Sequence, residues 1–262
     1  MLKKILIITK SLRYWLDKIT YNLSTNNKEL QKLRNKVKGK PLLIVGNGPS
    51  LNNTPLDSFN GIYSIGMNKI DMIFERTSWR PDIILTMNNL VVKQHWSAML
   101  QNSIPHYLSW KSRLFLPLWK RKNFTFFLSN ASNDFQEDIS LSVGVSGTVT
   151  YAALQFAYYL DANPVIIVGV DHNFTYEGNA NDIQKRKGDD PNHFDPNYFA
   201  KGQYWGVPNL NLSEVGFKNA KKAFEKRGRK IFDATVEGKL QIFEKISIDE
   251  AHALIIQSNK LK

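Results

Sequence analysis

A glycine-rich loop near the start of the chain offers the first candidate chemistry. The apolar residues 41–45 lead into a loop that reads Gly46-Asn47-Gly48-Pro49-Ser50. Glycines after a buried strand let backbone N–H groups approach a phosphate, and a helix beginning beyond them favours its negative charge. A strand-to-helix turn without any ligand has the same pattern. The loop is not a dinucleotide fingerprint, because Leu51 stands where the third glycine belongs.

An asparagine follows each of the first three apolar runs, at Asn47, Asn68 and Asn88. The runs 61–68 and 82–88 are typical of buried strands. Ligands of a doubly wound sheet bind at the carboxyl ends of its strands, which is where these side chains would lie. An amide donates and accepts hydrogen bonds without charge, which suits a ribose, a base edge or a sugar. A single asparagine there could equally cap a turn.

Further polar residues come after the apolar run 164–169, where the chain reads Asp171-His172-Asn173. The segment of about 174–211 is then long, polar and interrupted by Gly and Pro. It contains Asp189, Asp190 and His193, followed by aromatic residues. Loops of this length in a compact domain are usually lids or binding loops, and the aromatics disfavour disorder. We predict a lid.

The elements that must position these residues alternate along the chain. Ser146 is the predicted N-cap of an apolar helix over 149–160, and further helices are predicted over 213–227 and from Ile248. Strands are predicted at 41–45, 61–68, 82–88, 104–110, 123–128, 164–169 and 230–235. This order predicts an α/β protein with a single Rossmann-like doubly wound sheet.

Charge divides the chain into two parts. The 262 residues carry a net charge of +12 and no cysteine, which excludes disulfides and thiolate chemistry. Residues 1–40 hold eleven Lys or Arg against two acidic residues, a net +9, which leaves +3 for the remaining 222. We therefore predict a basic leader over 1–40 and a catalytic domain over 41–262. The nearly balanced domain disfavours nucleic acid as a ligand.

The leader contains an amphipathic helical pattern. One apolar face is formed by Leu12, Trp15, Leu16, Ile19 and Leu23. Such a basic helix with a tryptophan can lie in an anionic membrane surface. It can also pack on the domain or on a second subunit of a homo-oligomer. No run approaches the roughly 20 apolar residues of a membrane span, so we expect a cytoplasmic protein. The first of the two alternatives for the helix would make it peripheral on the inner face of the cytoplasmic membrane.

The ordered motifs resemble those of a known superfamily. They are Gly46-Asn-Gly-Pro-Ser-Leu51, Asn68, Asn88 with Gln94, Val145-Ser-Gly147, Gly169-Val-Asp171 and His193. In this order they are similar to those of bacterial family 42 sialyltransferases. The chain also resembles the DUF115, or MptE-like, group of surface-polysaccharide clusters, through Gly169-Val-Asp-His-Asn-Phe174 and Asp190-Pro-Asn-His-Phe194.

The resemblance implies a GT-A variant fold and transfer of a sialic-acid-like sugar from a CMP-activated donor to a glycan, without a metal or other cofactor. It implies His193 as the general base, with Asp171 as a further catalytic residue. His172, which lies directly at the strand end, is the competing candidate for the base. It implies nucleotide contacts from Gly46, Asn47, Gly48, Ser50, Asn68, Asn88, Ser146 and Gly147. It implies substrate or lid contacts from Gln94, Asn173, Tyr198, Tyr204 and Trp205.

Two departures concern groups that hold the donor's phosphate or carboxylate. Val143 stands where the sialyltransferases carry Arg, and Asn173 stands where they carry Tyr. Substitutes would come from the lid, at Arg186, Tyr198, Lys201 or Tyr204. The alternative reaction is pyrophosphoryl transfer from ATP to a pterin, with Mg²⁺ held by Asp171, Asp189 and Asp190. A non-catalytic membrane scaffold is the third interpretation, and it leaves the polar strand ends without a purpose.

Overall fold

The protein is built on one eight-stranded, all-parallel sheet, seen in a computed structural model that describes the backbone of residues 2–260 and the side chains of 12–258. Met1 and residues 261–262, the outer ends of the two predicted ranges, lie outside the described residues. The strands are β1 (Leu42–Val45), β2 (Ser64–Met67), β3 (Ile83–Thr86), β4 (His106–Ser109), β5 (Thr125–Phe127), β6 (Ser129–Asn130), β7 (Val143–Gly144), β8 (Val165–Val168), β9 (Ile183–Lys185), β10 (Tyr204–Gly206), β11 (Ile231–Asp233) and β12 (Glu244–Lys245).

The strand order in the main sheet is β12-β11-β8-β1-β2-β3-β4-β5. The chain therefore builds outward from β1 through β2 to β5, and later returns to the other side of β1 with β8. This reversal between β1 and β8 is the switch point at which doubly wound sheets bind ligands. The predicted Rossmann-like fold is confirmed.

The helices are α1 (Leu2–Asn22), α2 (Asn26–Gln31), α3 (Asn89–Met99), α4 (Val149–Tyr159), α5 (Leu210–Lys226) and α6 (Ile248–Lys260). Helix α4 packs across β1, β2 and β3 and against α5. Every residue of α4 from Thr150 onward is buried, which explains why its sequence is apolar all round. The strands β1 and β8 are likewise fully buried, as expected for parallel strands covered on both faces.

Short 3₁₀ turns stand where helices usually connect the first three strands of such a sheet, including Pro49–Asn53 and Ile70–Ile73. The N-cap of α4 is Thr148, whose side chain accepts a hydrogen bond from the N–H of Thr150, and not the predicted Ser146. The lid contains an antiparallel ribbon of β9 and β10 that the sequence did not indicate. All seven apolar runs that were predicted as strands do contain strands.

The leader packs against the core from Tyr14 onward. Tyr21, Leu30, Leu33 and Val37 are buried in the same cluster as the sheet. The division of the chain at residue 40 stays a prediction, although packing does not change there. None of the helices in the described part of the chain is long and apolar enough to cross a membrane.

Candidate active site

The carboxyl ends of β1, β2, β3 and β8 surround a cleft of about 750 Å³. The cleft brings together most of the residues singled out in the sequence. They are Gly46, Asn47, Gly48, Asn68, Asn88, Gly147, Asp171, His172, Asn173, His193, Tyr198 and Trp205. Ser50, Gln94, Ser146 and Tyr204 do not line it, and each has another role.

Gly46 and Gly48 are required by packing, whether or not a phosphate binds. A Cβ at Gly46 would lie 2.1 Å from the carbonyl oxygen of Gly169, and one at Gly48 would lie 1.7 Å from Oδ2 of Asp171. The loops after β1 and β8 therefore interlock with no room for a side chain. This close contact shapes the floor of the cleft.

Asp171 ties the two loops together. Its carboxylate accepts hydrogen bonds from the N–H of Ser50 at 3.0 Å and from the hydroxyl of Ser50 at 2.7 Å. Burial raises the pKa of Asp171 above its usual value, while the bonds from Ser50 act in the opposite direction. Ser50, which is predicted to touch the nucleotide, instead orients this carboxylate at the side of the cleft.

Two asparagine oxygens are buried beside the cleft without a partner. The Oδ1 atoms of Asn47 and Asn68 make no hydrogen bond within the described residues. Since a buried acceptor without a donor is costly, a side-chain rotation that turns these oxygens toward hydroxyl or amino donors of a ligand would be favourable. Asn88 differs, because its Oδ1 already accepts the N–H of Leu90 and caps α3.

Three helices begin at the cleft. The N-caps of α3, α4 and α5 are Asn88, Thr148 and Asn209, and all three residues line the cavity. Free N–H groups and the helix dipole make each terminus attractive to an anion. Lys111 adds a positive side chain to the same lining. The cleft is therefore suited to a phosphate or a carboxylate.

The hydroxyl of Ser146 does not face the anion-attracting part of the cleft. The side chain is fully buried, and it donates a hydrogen bond of 2.6 Å to the carbonyl of Leu212 in α5. The predicted contact of Ser146 with a phosphate is therefore corrected to a contact between helices. Gly147, with φ of +70°, carries the chain from there to the cap of α4.

His193 sits in the lid with one nitrogen held. Its Nδ1 lies 2.8 Å from Oδ2 of the buried Asp190, and its ring stacks on Tyr198 with centroids 3.9 Å apart. The backbone N–H of the following Phe194 bonds to the carbonyl of Asn47, which places the histidine over the glycine loop. Nε2 is the nitrogen left to exchange a proton with a ligand.

Asp190 is held as an anion in this pair. Burial by itself raises the pKa of Asp190, but the hydrogen bond and charge of His193, the N–H of Asn192 and the charge of Arg186 together lower it below the usual value. Arg186 lies 2.6 Å from Oδ1 of Asp190 and over the ring of Trp205. Arg186, predicted as a substitute for a donor-holding arginine, is thus engaged with Asp190.

His172, the competing candidate for the base, has a longer contact to its carboxylate than His193 has. Its backbone has φ of 52°, its Nε2 lies 3.3 Å from Glu214, and its ring meets the edge of Phe217. It also lines the cleft, and both of these contacts are with residues of α5.

Gln94 of α3 and Tyr204 of β10 fasten the lid to that helix. The amide of Gln94 donates to the carbonyl of Tyr204 at 2.9 Å and accepts from its N–H at 3.0 Å, and the Tyr204 side chain is exposed. The predicted substrate contacts of both residues are corrected to a structural clasp on β10. Trp205, beside them, is buried and faces the cleft.

Lys69 is a residue of the site that the sequence analysis did not identify. It is buried directly after Asn68, and its Nζ donates to the carbonyl of Tyr198 and, at 3.0 Å, to Gln203. Burial lowers the pKa of Lys69 to about 8, with Asp190 and Asp71 opposing the shift. The only sequence signal is a lysine at the end of a strand, which is ordinarily solvated.

Urea unfolding at several pH values tests the lowered pKa of Lys69. Because the pKa of Lys69 is lower in the folded state than its usual value of about 10.5, the unfolded chain holds the extra proton between the two values. The free energy of unfolding therefore rises with pH above about 8. We expect wild type to gain about 2 kcal/mol over Lys69→Met between pH 7.5 and 9.5, in paired urea titrations. If the free energy of unfolding changed with pH to the same extent in wild type and Lys69→Met, the lowered pKa of Lys69 would be contradicted.

The fold and the cleft define a Rossmann-like α/β protein with a polar cleft at its switch point. A family model, 6-hydroxymethylpterin diphosphokinase MptE-like, matches residues 17–177, and the chain belongs to this family. The family name describes a transferase-type enzyme. The matched range includes the glycine loop, Asn68, Asn88 and the Asp171 turn, while His193 lies beyond it. No curated protein matches the chain.

Proposed function

We propose that the protein is a glycosyltransferase of bacterial surface-polysaccharide or glycoconjugate assembly. It transfers a sialic-acid-like (nonulosonic or related) sugar from a CMP-activated donor to a glycan acceptor. The observation that carries the proposal is the convergence of three helix N-termini and the His193–Asp190 pair on one cleft.

The helix N-termini suit the leaving group. As the bond from the anomeric carbon to the donor phosphate breaks, negative charge develops on the phosphate oxygens. N–H groups fixed at the starts of α3, α4 and α5 stabilise such charge without reorganising. The sugar carries a carboxylate of its own, so a site with more than one anion-attracting terminus suits it.

His193 suits the acceptor. Nε2 takes the proton of the acceptor hydroxyl as the oxygen bonds to the anomeric carbon, and Nδ1 stays bonded to Asp190. The anionic Asp190 stabilises the imidazolium that results, and the stack on Tyr198 fixes the ring plane. Asn47 and Asn68 accept from the ribose hydroxyls or the cytosine amino group.

The family name supports a second candidate, pyrophosphoryl transfer from ATP to a pterin. That reaction needs carboxylates free to hold Mg²⁺. Asp171 is bonded to Ser50, and Asp190 is paired with Arg186 and His193. No group of three His, Asp or Glu suited to a metal occurs in the described part of the chain. Because Asp171 and Asp190 already bond other side chains, glycosyl transfer is favoured over a reaction that needs them as Mg²⁺ ligands.

Thermal-shift measurements with CMP, CDP, ATP and GTP, each with and without Mg²⁺, distinguish the two. We expect CMP alone to raise the melting temperature by about 5–10 °C at a hundredfold excess over Kd, from a stabilisation of about 2.7 kcal/mol. Asn47→Leu should reduce this shift because the buried acceptor is lost. Asn60→Leu is the matched control, because the Asn60 amide bonds the Ser78 hydroxyl outside the cleft. Stabilisation only by ATP with Mg²⁺ would favour the diphosphokinase.

A further inference from the structure

Helix α1 presents its apolar face to solvent. Leu12, Trp15, Leu16 and Ile19 share one side of the helix, and all are exposed, Trp15 at 58%. With 3.6 residues per turn, Asp17 and Tyr21 fall on the opposite side, and these two are buried. The leader helix therefore packs through its more polar side, the reverse of an ordinary surface helix.

A second exposed apolar segment begins in the turn Trp110–Phe115, which contacts α1. The 3₁₀ turns Trp110–Phe115 and Leu118–Asn123 expose Leu114, Phe115, Leu118 and Trp119, the last at 72%. We call these four side chains and the exposed stripe of α1 the apolar platform. Isolated exposed apolar residues need no explanation, but a grouped set marks a docking surface.

Buried contacts join α1 to the turn Trp110–Phe115. Asp17 pairs with Arg113 at 3.0 Å, with both side chains mostly buried. The indole N–H of Trp110 reaches the hydroxyl of Thr20 at 3.3 Å, and the same indole meets the ring edge of Tyr21. Asp17 and Tyr21 lie on the side of α1 opposite its exposed stripe, so these contacts fix α1 and the turn Trp110–Phe115 relative to each other.

The charges around the platform are basic. Arg13 and Lys18 flank the apolar stripe of α1, one on either side, as the helical period requires. Lys120, Arg121 and Lys122 form the last turn of Leu118–Asn123. Tryptophan with flanking Lys and Arg is the composition of a surface that enters the headgroup region of an anionic bilayer.

We propose that the apolar platform docks on an anionic lipid bilayer. A second copy of the chain is a poorer occupant, because a two-fold contact would set each basic rim against the same rim of its partner. Anionic headgroups neutralise those charges, at about 1 kcal/mol for each Lys or Arg near the surface.

The platform also borders the cleft. Phe115 belongs to both, and Lys111 of the same turn lines the cleft wall. Docking therefore places this edge of the cleft at the bilayer surface. Resting on the proposed glycosyl transfer, we assign the acceptor to the class of lipid-anchored glycans, whose sugar would enter beside Phe115.

Vesicle flotation of the full chain, without nucleotide, tests the docking. We expect binding to phosphatidylcholine vesicles that contain phosphatidylglycerol, weakened by added salt, and little binding to phosphatidylcholine alone. Trp15→Ser and Trp119→Ser should each lower the partition coefficient about tenfold, the loss of one well-buried anchor. Ile256→Ser, at another exposed aliphatic residue outside the platform, is the matched control and should bind as wild type does.

Unchanged melting temperatures for the variants show that folding is intact, which the exposure of both tryptophans leads us to expect. Sedimentation of the lipid-free protein tests the rival occupant. A dimer that Trp15→Ser and Trp119→Ser dissociate would overturn the proposal, as would wild-type flotation that ignores phosphatidylglycerol and salt. Vesicle binding needs neither donor nor acceptor, so its failure refutes the docking alone. Absence of stabilisation by CMP refutes the proposed reaction alone.

Discussion

His193→Ala is expected to lower turnover by about 10²–10⁴, the usual contribution of a positioned general base. The imidazole lies over the glycine loop with Nδ1 bonded to Asp190, so its loss removes the proton acceptor without opening the cleft floor. Affinity for CMP should survive, because the base acts on the acceptor hydroxyl. Turnover with a CMP-linked sugar and CMP affinity by calorimetry measure the two effects.

Two further variants locate the base. Asp190→Asn keeps the shape of the side chain but removes the charge that stabilises the imidazolium, so it should lower turnover while His193 remains. His172→Ala should instead weaken donor binding or lower the melting temperature, since His172 contacts Glu214 and Phe217. Near-normal turnover in His193→Ala, together with its loss in His172→Ala, would show that the wrong histidine was chosen.

The main sheet was predictable because its strands are buried on both faces. Such strands read as continuous apolar runs, so 41–45 and 164–169 were found directly. The position of the site followed from topology, since polar residues after parallel strands meet at one edge. Asn47, Asn68 and Asp171 consequently line one cleft, as expected.

The side-chain partners were not predictable in the same way. Ser146 and Thr148 are both good caps, and only the approach of α5 decides that Ser146 bonds Leu212. Gln94 meets Tyr204 across 110 residues of sequence, a pairing that no local pattern encodes. The leader helix was identified from its period, but the period cannot tell which face the rest of the protein covers.

Gly46→Ala is expected to be the most destabilising single-methyl substitution in the two interlocking loops. The added Cβ would lie 2.1 Å from the backbone carbonyl oxygen of Gly169. To relieve this overlap, the backbone of the loop after β1 or of the loop after β8 would have to shift. Overpacking usually costs about 1–3 kcal/mol and occasionally more, and we expect the upper part of this range. Loss of CMP stabilisation should accompany it, because the glycine loop forms the cleft floor.

Gly48→Ala provides the graded comparison. Its φ of −70° suits any residue, so the whole cost comes from the contact with the Asp171 carboxylate at 1.7 Å. A side chain can shift where a backbone cannot, so Gly48→Ala should cost less than Gly46→Ala. Pairing it with Asp171→Ala should show strong coupling in a double-mutant cycle. Gly188→Ala, with no atom within 4 Å of its Cβ, should be nearly neutral. Equal effects at all three glycines in urea unfolding would mean that the loops do not interlock as described.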